Sequence, residues 1–248
     1  MITRPLVFTK RFPKSPRKPY SPLTGVKAMT IGIGFDCLGG LIMGADRQMT
    51  LPGSHKYADT KLFYDIKDDR ILALIGGNDL SLAKELWWKL VERPILDYDS
   101  CERALTDILN EMGRFYADLP LQLLCGIATK TNVHLLEFRG KGVCPILDDL
   151  GIICVGDSSL IRYLSKNIEL FFQFEKDGIA IATYLLKRAE QFIDGCSGPM
   201  DIIILRPGPQ IHVINPQMIE DLDKRLVENQ SKVFKELFSL SPPFSIVR

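Results

Sequence analysis

Histidine is nearly missing from this chain: His55, His134 and His212 are the whole supply in 248 residues, and they stand far apart. That scarcity excludes a His-Glu-x-x-His zinc helix and leaves no visible serine or cysteine dyad built on imidazole. Paired cysteines are missing too. Cys37, Cys101, Cys125, Cys144, Cys154 and Cys196 form no Cys-x-x-Cys spacing and fall inside apolar strand or helix patterns. Buried, reduced thiols are therefore expected, in place of a disulfide frame or a zinc site. No apolar run reaches the roughly 18–20 residues that span a bilayer, and no apolar core of about 7–15 residues marks a secretory signal. A soluble, cytoplasmic protein is expected. The formal net charge is only +1, which argues against a nucleic-acid binder. No site for a metal or an organic cofactor is visible.

Acidic residues are missing locally as well. The first 28 residues hold seven Lys or Arg and five Pro but no Asp or Glu. Such a composition supplies no packed element, so residues 1–29 read as a basic, Pro-rich leader, removed or disordered, and residues 30–248 as one domain with a large core.

Within that domain the hydrophobic period changes several times. Thr30 to Phe35 and Leu41 to Ala45 read as strands joined by Cys37-Leu38-Gly39-Gly40, and Lys61 to Ile66 and Arg70 to Ile75 as a second hairpin. The intervening Leu51-Pro52-Gly53-Ser54 reads as a loop. Gly76-Gly77 end the second hairpin, Asn78 or Asp79 can cap a helix to Arg93, and Pro94 stops it. A second amphipathic helix runs from Ser100 to Leu119. Strands recur in LQLLCGIAT, NVHLLEFR, VCPIL and LGIICVG. A helix from Asp157 or Ser158 to about Phe171, another over Ile179 to Ile193, a hairpin turning at Gly208 and a charged helix over Ile219 to Leu237 complete the chain. Strand blocks recurring around helix pairs predict two sheets face to face with helices outside.

An amide hydrolase without histidine needs another base. The α-amine of a chain terminus titrates near neutrality, at about 7.7–8.0, so a Thr that becomes residue one carries nucleophile and base together. Met29-Thr30 offers such a terminus. A nearby Lys ammonium would lower the amine pKa and favour the alkoxide, and a carboxylate would orient that Lys. Lys61 and Asp46 suit these roles if their strands pair beside Thr30. Gly76 or Gly77, lacking Cβ atoms, would let a backbone N–H approach a developing oxyanion. Singly, each of these is an ordinary structural residue.

The ordered set resembles the β-type subunits of the proteasome family and its bacterial relatives HslV and Anbu, from Met29 to Asn215. Thr30, GFDCLGGLIMGAD ending at Asp46, TKLFYDI with Lys61 and ALIGGND with Gly76 match the family's nucleophile, strand acid, catalytic Lys and oxyanion glycine in order. FIDGCSGPMDIIIL resembles the Asp-x-x-Ser-Gly segment of that family, which implies that Asp194 and Ser197 surround the Thr30 amine. The resemblance implies an α+β, four-layer αββα sandwich of the N-terminal-nucleophile hydrolase type. It implies a threonine-type endopeptidase acting on peptide or unfolded protein within a homo-oligomeric, self-compartmentalised ring. An ATP-dependent unfoldase as partner stays open. The residues matching the first substrate pocket are Met49 and Leu74, which suit an apolar side chain.

Three positions depart from the pattern. The family's Gly-Ser-Gly is here Gly156-Asp157-Ser158, which leaves Ser158 as the candidate for its serine and Asp157 as a helix cap or a neighbour of the amine. The residue before Thr30 is Met, as in the bacterial relatives that need no propeptide. The loop before Lys61 is about one residue short, with Lys56 as a rival. A retained leader would leave Thr30 with an amide and no base, and the chain would then be a non-catalytic ring scaffold. A further alternative is an N-terminal-nucleophile amidase acting on a small molecule.

Overall fold

Strands β1 (Ile31–Cys37) and β2 (Gly40–Asp46) are apolar along nearly their whole length without alternating, the pattern of strands covered on both faces. The computed structural model, which describes residues 31–50, 56–67, 69–77, 79–113, 121–139, 142–145, 152–156, 159–165, 175–193 and 195–239, shows what covers them. After β2 come β3 (Gln48–Thr50), β4 (Lys56–Ala58), β5 (Leu62–Ile66), β6 (Ile71–Gly76), α1 (Leu80–Val91) and α2 (Tyr98–Gly113). Then follow β7 (Gln122–Ala128), β8 (Val133–Arg139), β9 (Gly142–Pro145), β10 (Ile153–Gly156), α3 (Ser159–Ser165) and α4 (Glu175–Phe192). The hairpin β11 (Met200–Arg206) and β12 (Gln210–Val213) and the helix α5 (Pro216–Ser239) complete the described chain.

The long strands form two five-stranded sheets, in the orders β10-β1-β2-β11-β12 and β5-β6-β7-β8-β9, and every pairing in them is antiparallel. The chain is thus α+β with antiparallel sheets, as the sequence predicts. Three buried clusters divide the core. Leu41, Met43 and Ala45 of β2 meet Ile71, Ala73 and Ile75 of β6 and Leu124 of β7 in the cluster between the sheets. Leu72 and Leu74, on the opposite face of β6, pack under Leu82, Leu86 and Leu90 of α1 and Leu105 and Ile108 of α2. Ile31, Ile33 and Ile42 pack under Ile179, Ala182, Leu185 and Leu186 of α4. Alternate residues of one strand therefore serve two cores, which is why polar residues are so few in β1, β2 and β6.

The sheets are in close contact where β1 begins. A Cβ on Gly32 would lie 2.4 Å from Ile75 Cγ2 and 2.9 Å from Val155 Cγ2, so only glycine lets the start of β1 settle against the end of β6.

Helix starts follow local chemistry. Asp79 caps α1, its side chain accepting from the N–H groups of Ser81 and Leu82. The α5 helix begins three residues earlier than apolar spacing predicts, because Asn215 Oδ1 accepts from Gln217 N–H at 2.8 Å and Pro216 suits the first helical position. The first turn of α4 adds Glu175-Lys176-Asp177, polar residues that hydrophobic spacing does not register. The short β3–β4 ribbon went unpredicted, since three-residue strands carry no readable period. The loop read at Leu51 to Ser54, and the predicted helix ends beyond Gly113 and Ser165, lie outside the described residues. Among the described residues, no helix is long and apolar enough to cross a membrane. Cys101, Cys125, Cys154 and Cys196 are buried, as expected, whereas Cys37, at the end of β1, is only half-buried.

Candidate functional site

Strand pairing and sheet packing bring Asp46, Lys61 and Gly76 to one end of the sheets. The start of β1 lies between the ends of β10 and β2, with Ile31 opposite Gly156 and Gly32 opposite Ala45, while Asp46 lies opposite Met200 at the start of β11. In the other sheet Leu62 pairs with Ile75, and Gly76 with Leu123 at the start of β7.

Asp46 and Lys61 join the two sheets there. Lys61 Nζ donates to Asp46 Oδ2 at 2.8 Å, and neither side chain has any exposed surface. Asp46 also accepts from Ile31 N–H through Oδ1 at 3.0 Å and from Gln48 N–H through Oδ2 at 3.1 Å. Burial raises the Asp46 carboxyl above its ordinary value of 3.8, against the opposing pull of Lys61 and the two amides. A buried pair of this kind is worth little as a source of stability, because desolvation offsets the attraction. Its geometric effect is larger: it fixes Lys61 beside the first residue of β1. Ile31 N–H, which Asp46 holds, belongs to the peptide bond joining Ile31 to Thr30.

The two glycines at the end of β6 are placed differently from expectation. Gly76 N–H donates to Lys61 O at 3.1 Å and Gly77 N–H to Gln122 O at 2.8 Å. Both amides therefore serve the sheet, and neither is an open donor awaiting an oxyanion. Gly76 still meets a steric need, because a Cβ there would lie 2.3 Å from Ala83 Cβ on α1. Leu74 is wholly buried among the residues under α1 and α2, since odd and even positions of β6 face opposite cores.

Ser197 is half-buried in the turn before β11, and Arg47 N–H donates to Pro199 O at 3.0 Å, which ties this turn to the residue after Asp46. Thr30, Asp157, Ser158, Asp194 and the side chain of Met49 lie outside the described residues. Lys56 opens β4, in the separate ribbon, and Lys61 lies on Asp46.

Two residues at this end escaped the sequence reading. Cys196 is buried within electrostatic reach of the pair: burial raises its thiol, the Asp46 carboxylate adds to that, and Lys61 opposes both. Its signal, a cysteine between Asp194 and Ser197, was readable only as core. Gln122 accepts from Gly156 N–H through its side chain at 2.9 Å while its carbonyl holds Gly77. A lone Gln at a strand start carries no sequence signal at all. Among the described residues, no group of three or more His, Cys, Asp or Glu side chains could hold a metal ion.

The α+β fold with its two antiparallel sheets is similar to that of solved structures of Anbu proteins. A mutant Anbu from Hyphomicrobium sp. strain MC1 superposes with a TM-score of 0.72 at 13% identity, over 88% of this chain and 100% of that one. Anbu (ancestral beta-subunit) from Yersinia bercovieri gives 0.71 at 14% identity, with the same coverage of 88% and 100%. The helical assembly of the Anbu complex from Pseudomonas aeruginosa gives 0.68 at 13% identity, again over 88% and 100%. At these identities the likeness establishes the fold. The sequence matches no protein-family model and no curated protein.

Proposed function

We propose that this chain is a threonine-type N-terminal-nucleophile peptidase, a subunit of a proteasome-like homo-oligomeric assembly acting on peptide or unfolded protein in the cytoplasm. The two sheets and their outer helices are read as the four-layer αββα sandwich of that class. One observation carries the reading: the buried Asp46–Lys61 pair is anchored on the amide that links Ile31 to Thr30. A Lys at that place is costly to bury and needs a purpose beyond stability.

Once the bond before Thr30 is cleaved, the Thr30 amine takes the proton of Oγ as Oγ attacks the substrate carbonyl carbon. The carbon–nitrogen bond breaks, the leaving amine takes that proton, and water then hydrolyses the Thr30 ester. Lys61 supplies positive charge beside the nucleophile, and Asp46 orients Lys61. Asp194, Ser197 and Ser158 are assigned to orient the amine. An oxyanion contact at Gly76 requires its N–H to leave Lys61 O or to be shared with it in a three-centred bond. An apolar pocket at Met49 remains part of the reading; Leu74 would join it only if α1 moved.

The test is the intact mass and N-terminal sequence of the protein purified from its own host, together with labelling by a peptide epoxyketone, which needs both the Thr hydroxyl and a free amine. A chain beginning at Thr30 and labelled once there supports the reading. A chain that retains residue 29 and stays unlabelled refutes it.

A further inference from the structure

Gln122 is the first residue of β7, and it holds two glycine segments that come from different sheets. Its carbonyl accepts from Gly77 N–H at 2.8 Å, just past the end of β6. Its side-chain Oε1 accepts from Gly156 N–H at 2.9 Å, at the end of β10. Gly156 has φ +90°, a conformation that favours glycine, and it stands opposite Ile31 in the β1–β10 pairing. The two segments are in close approach: a Cβ on Gly77 would lie 3.1 Å from Gln122 O and 3.4 Å from Gly156 N. One residue thus spans the gap between the strand end that carries Gly76 and the Gly156 end of β10.

We infer that Gln122 is a positioning residue for the Thr30 chemistry, setting the spacing between the Gly76–Gly77 strand end and the Gly156 end of β10 across the two sheets. The inference rests on the peptidase reading for its catalytic consequence, but the clamp itself is a statement about two amides. Nothing in it requires Gln122 to touch substrate. Its side chain satisfies a half-buried N–H and fixes a distance; loss of that acceptor leaves Gly156 free to drift while β7 keeps its own ladder. A drift of about 1 Å at a reacting centre costs on the order of 100-fold in rate.

The test compares Gln122→Glu, which keeps an oxygen acceptor of the same reach, with Gln122→Leu, which does not. In the assembled protein, acylation by an apolar peptide epoxyketone is followed as a maximal rate and a half-saturating concentration. Gln122→Leu is expected to lower the maximal rate about 10- to 100-fold with the half-saturating concentration nearly unchanged, and Gln122→Glu to stay within about threefold of wild type. Equal behaviour of the two variants, or a change confined to half-saturation, overturns the inference. Amide hydrogen exchange at Gly156 is measured on the same proteins: it should quicken in Gln122→Leu and not in Gln122→Glu, and unchanged exchange removes the clamp. If wild type itself is unlabelled while Gly156 exchange responds, the peptidase reading and the positioning role both fall and only the clamp survives.

Discussion

Replacing Lys61 by Met removes the only charge opposite Asp46 among the described contacts while keeping the side chain's length and apolar stem. Asp46 and Lys61 have no exposed surface, so water cannot take over the lost partner. Removing one member of a buried pair costs about 3–5 kcal/mol. For a chain of this size that is a fall of roughly 6–20 °C in melting temperature, at about 2–4 °C per kcal/mol. The carboxyl can escape part of the cost by taking a proton, and this gives the loss a pH signature. Burial already raises Asp46 above 3.8, and without Lys61 it rises further. A folded-state pKa above the unfolded one means that the folded chain binds the proton more tightly. Stability of Lys61→Met should therefore fall as pH rises from about 4 up to the new folded pKa, by about 1.4 kcal/mol per pH unit, and level off above it. Equilibrium urea unfolding at one fixed protein concentration, from pH 4 to pH 8, measures this without confusion from assembly. The double variant Asp46→Asn, Lys61→Met has no charge to bury, so the two losses should fall short of adding by about 2–3 kcal/mol. A cost below about 1 kcal/mol at pH 8, as for a solvated surface pair, would refute the placement of Lys61 on Asp46.

Three other outcomes test the neighbourhood of the pair. Gly32→Val, which puts atoms where Ile75 and Val155 already stand, should destabilise the fold by about 1–3 kcal/mol, as equilibrium unfolding would measure. Asp79→Ala removes the acceptor for the Ser81 and Leu82 amides and should cost about 1 kcal/mol by thermal unfolding, with Asp79→Asn recovering most of it. Acylation of Thr30 should lose rate on the acid side as its free amine, which ordinarily titrates at about 7.7–8.0, takes a proton and ceases to act as base; a rate profile with no acid limb would contradict that role.

Much of this architecture was legible because hydrophobic periods are local. The recurrence of apolar runs around two pairs of amphipathic segments predicted an α+β arrangement of strands and helices, and a cap at Asn78 or Asp79 was readable from the glycines before it and the apolar spacing after it. Short elements were not legible: Gln48 to Thr50 and Lys56 to Ala58 pair as three-residue strands, too short to carry a readable period. Leu74 shows the same limit. Its residue type suits a substrate pocket or a core equally, and only the face of β6 on which it falls decided for the core.

The sequence by itself determined the chemistry on offer: a chain almost without histidine, with Thr30, Asp46, Lys61 and two adjacent glycines in an order that suits an N-terminal nucleophile. Only the tertiary structure decided which of these meet. Asp46 and Lys61 lie on different sheets, and no local rule brings the end of β2 to the start of β5; their contact follows from two sheets packing with Gly32 against Ile75. It also decided that the Gly76 and Gly77 amides are engaged, and that Gln122, silent in the sequence, holds two strand ends together. Hydrogen-bond partners depend on register and on the distance between sheets, and both are properties of the whole packed chain.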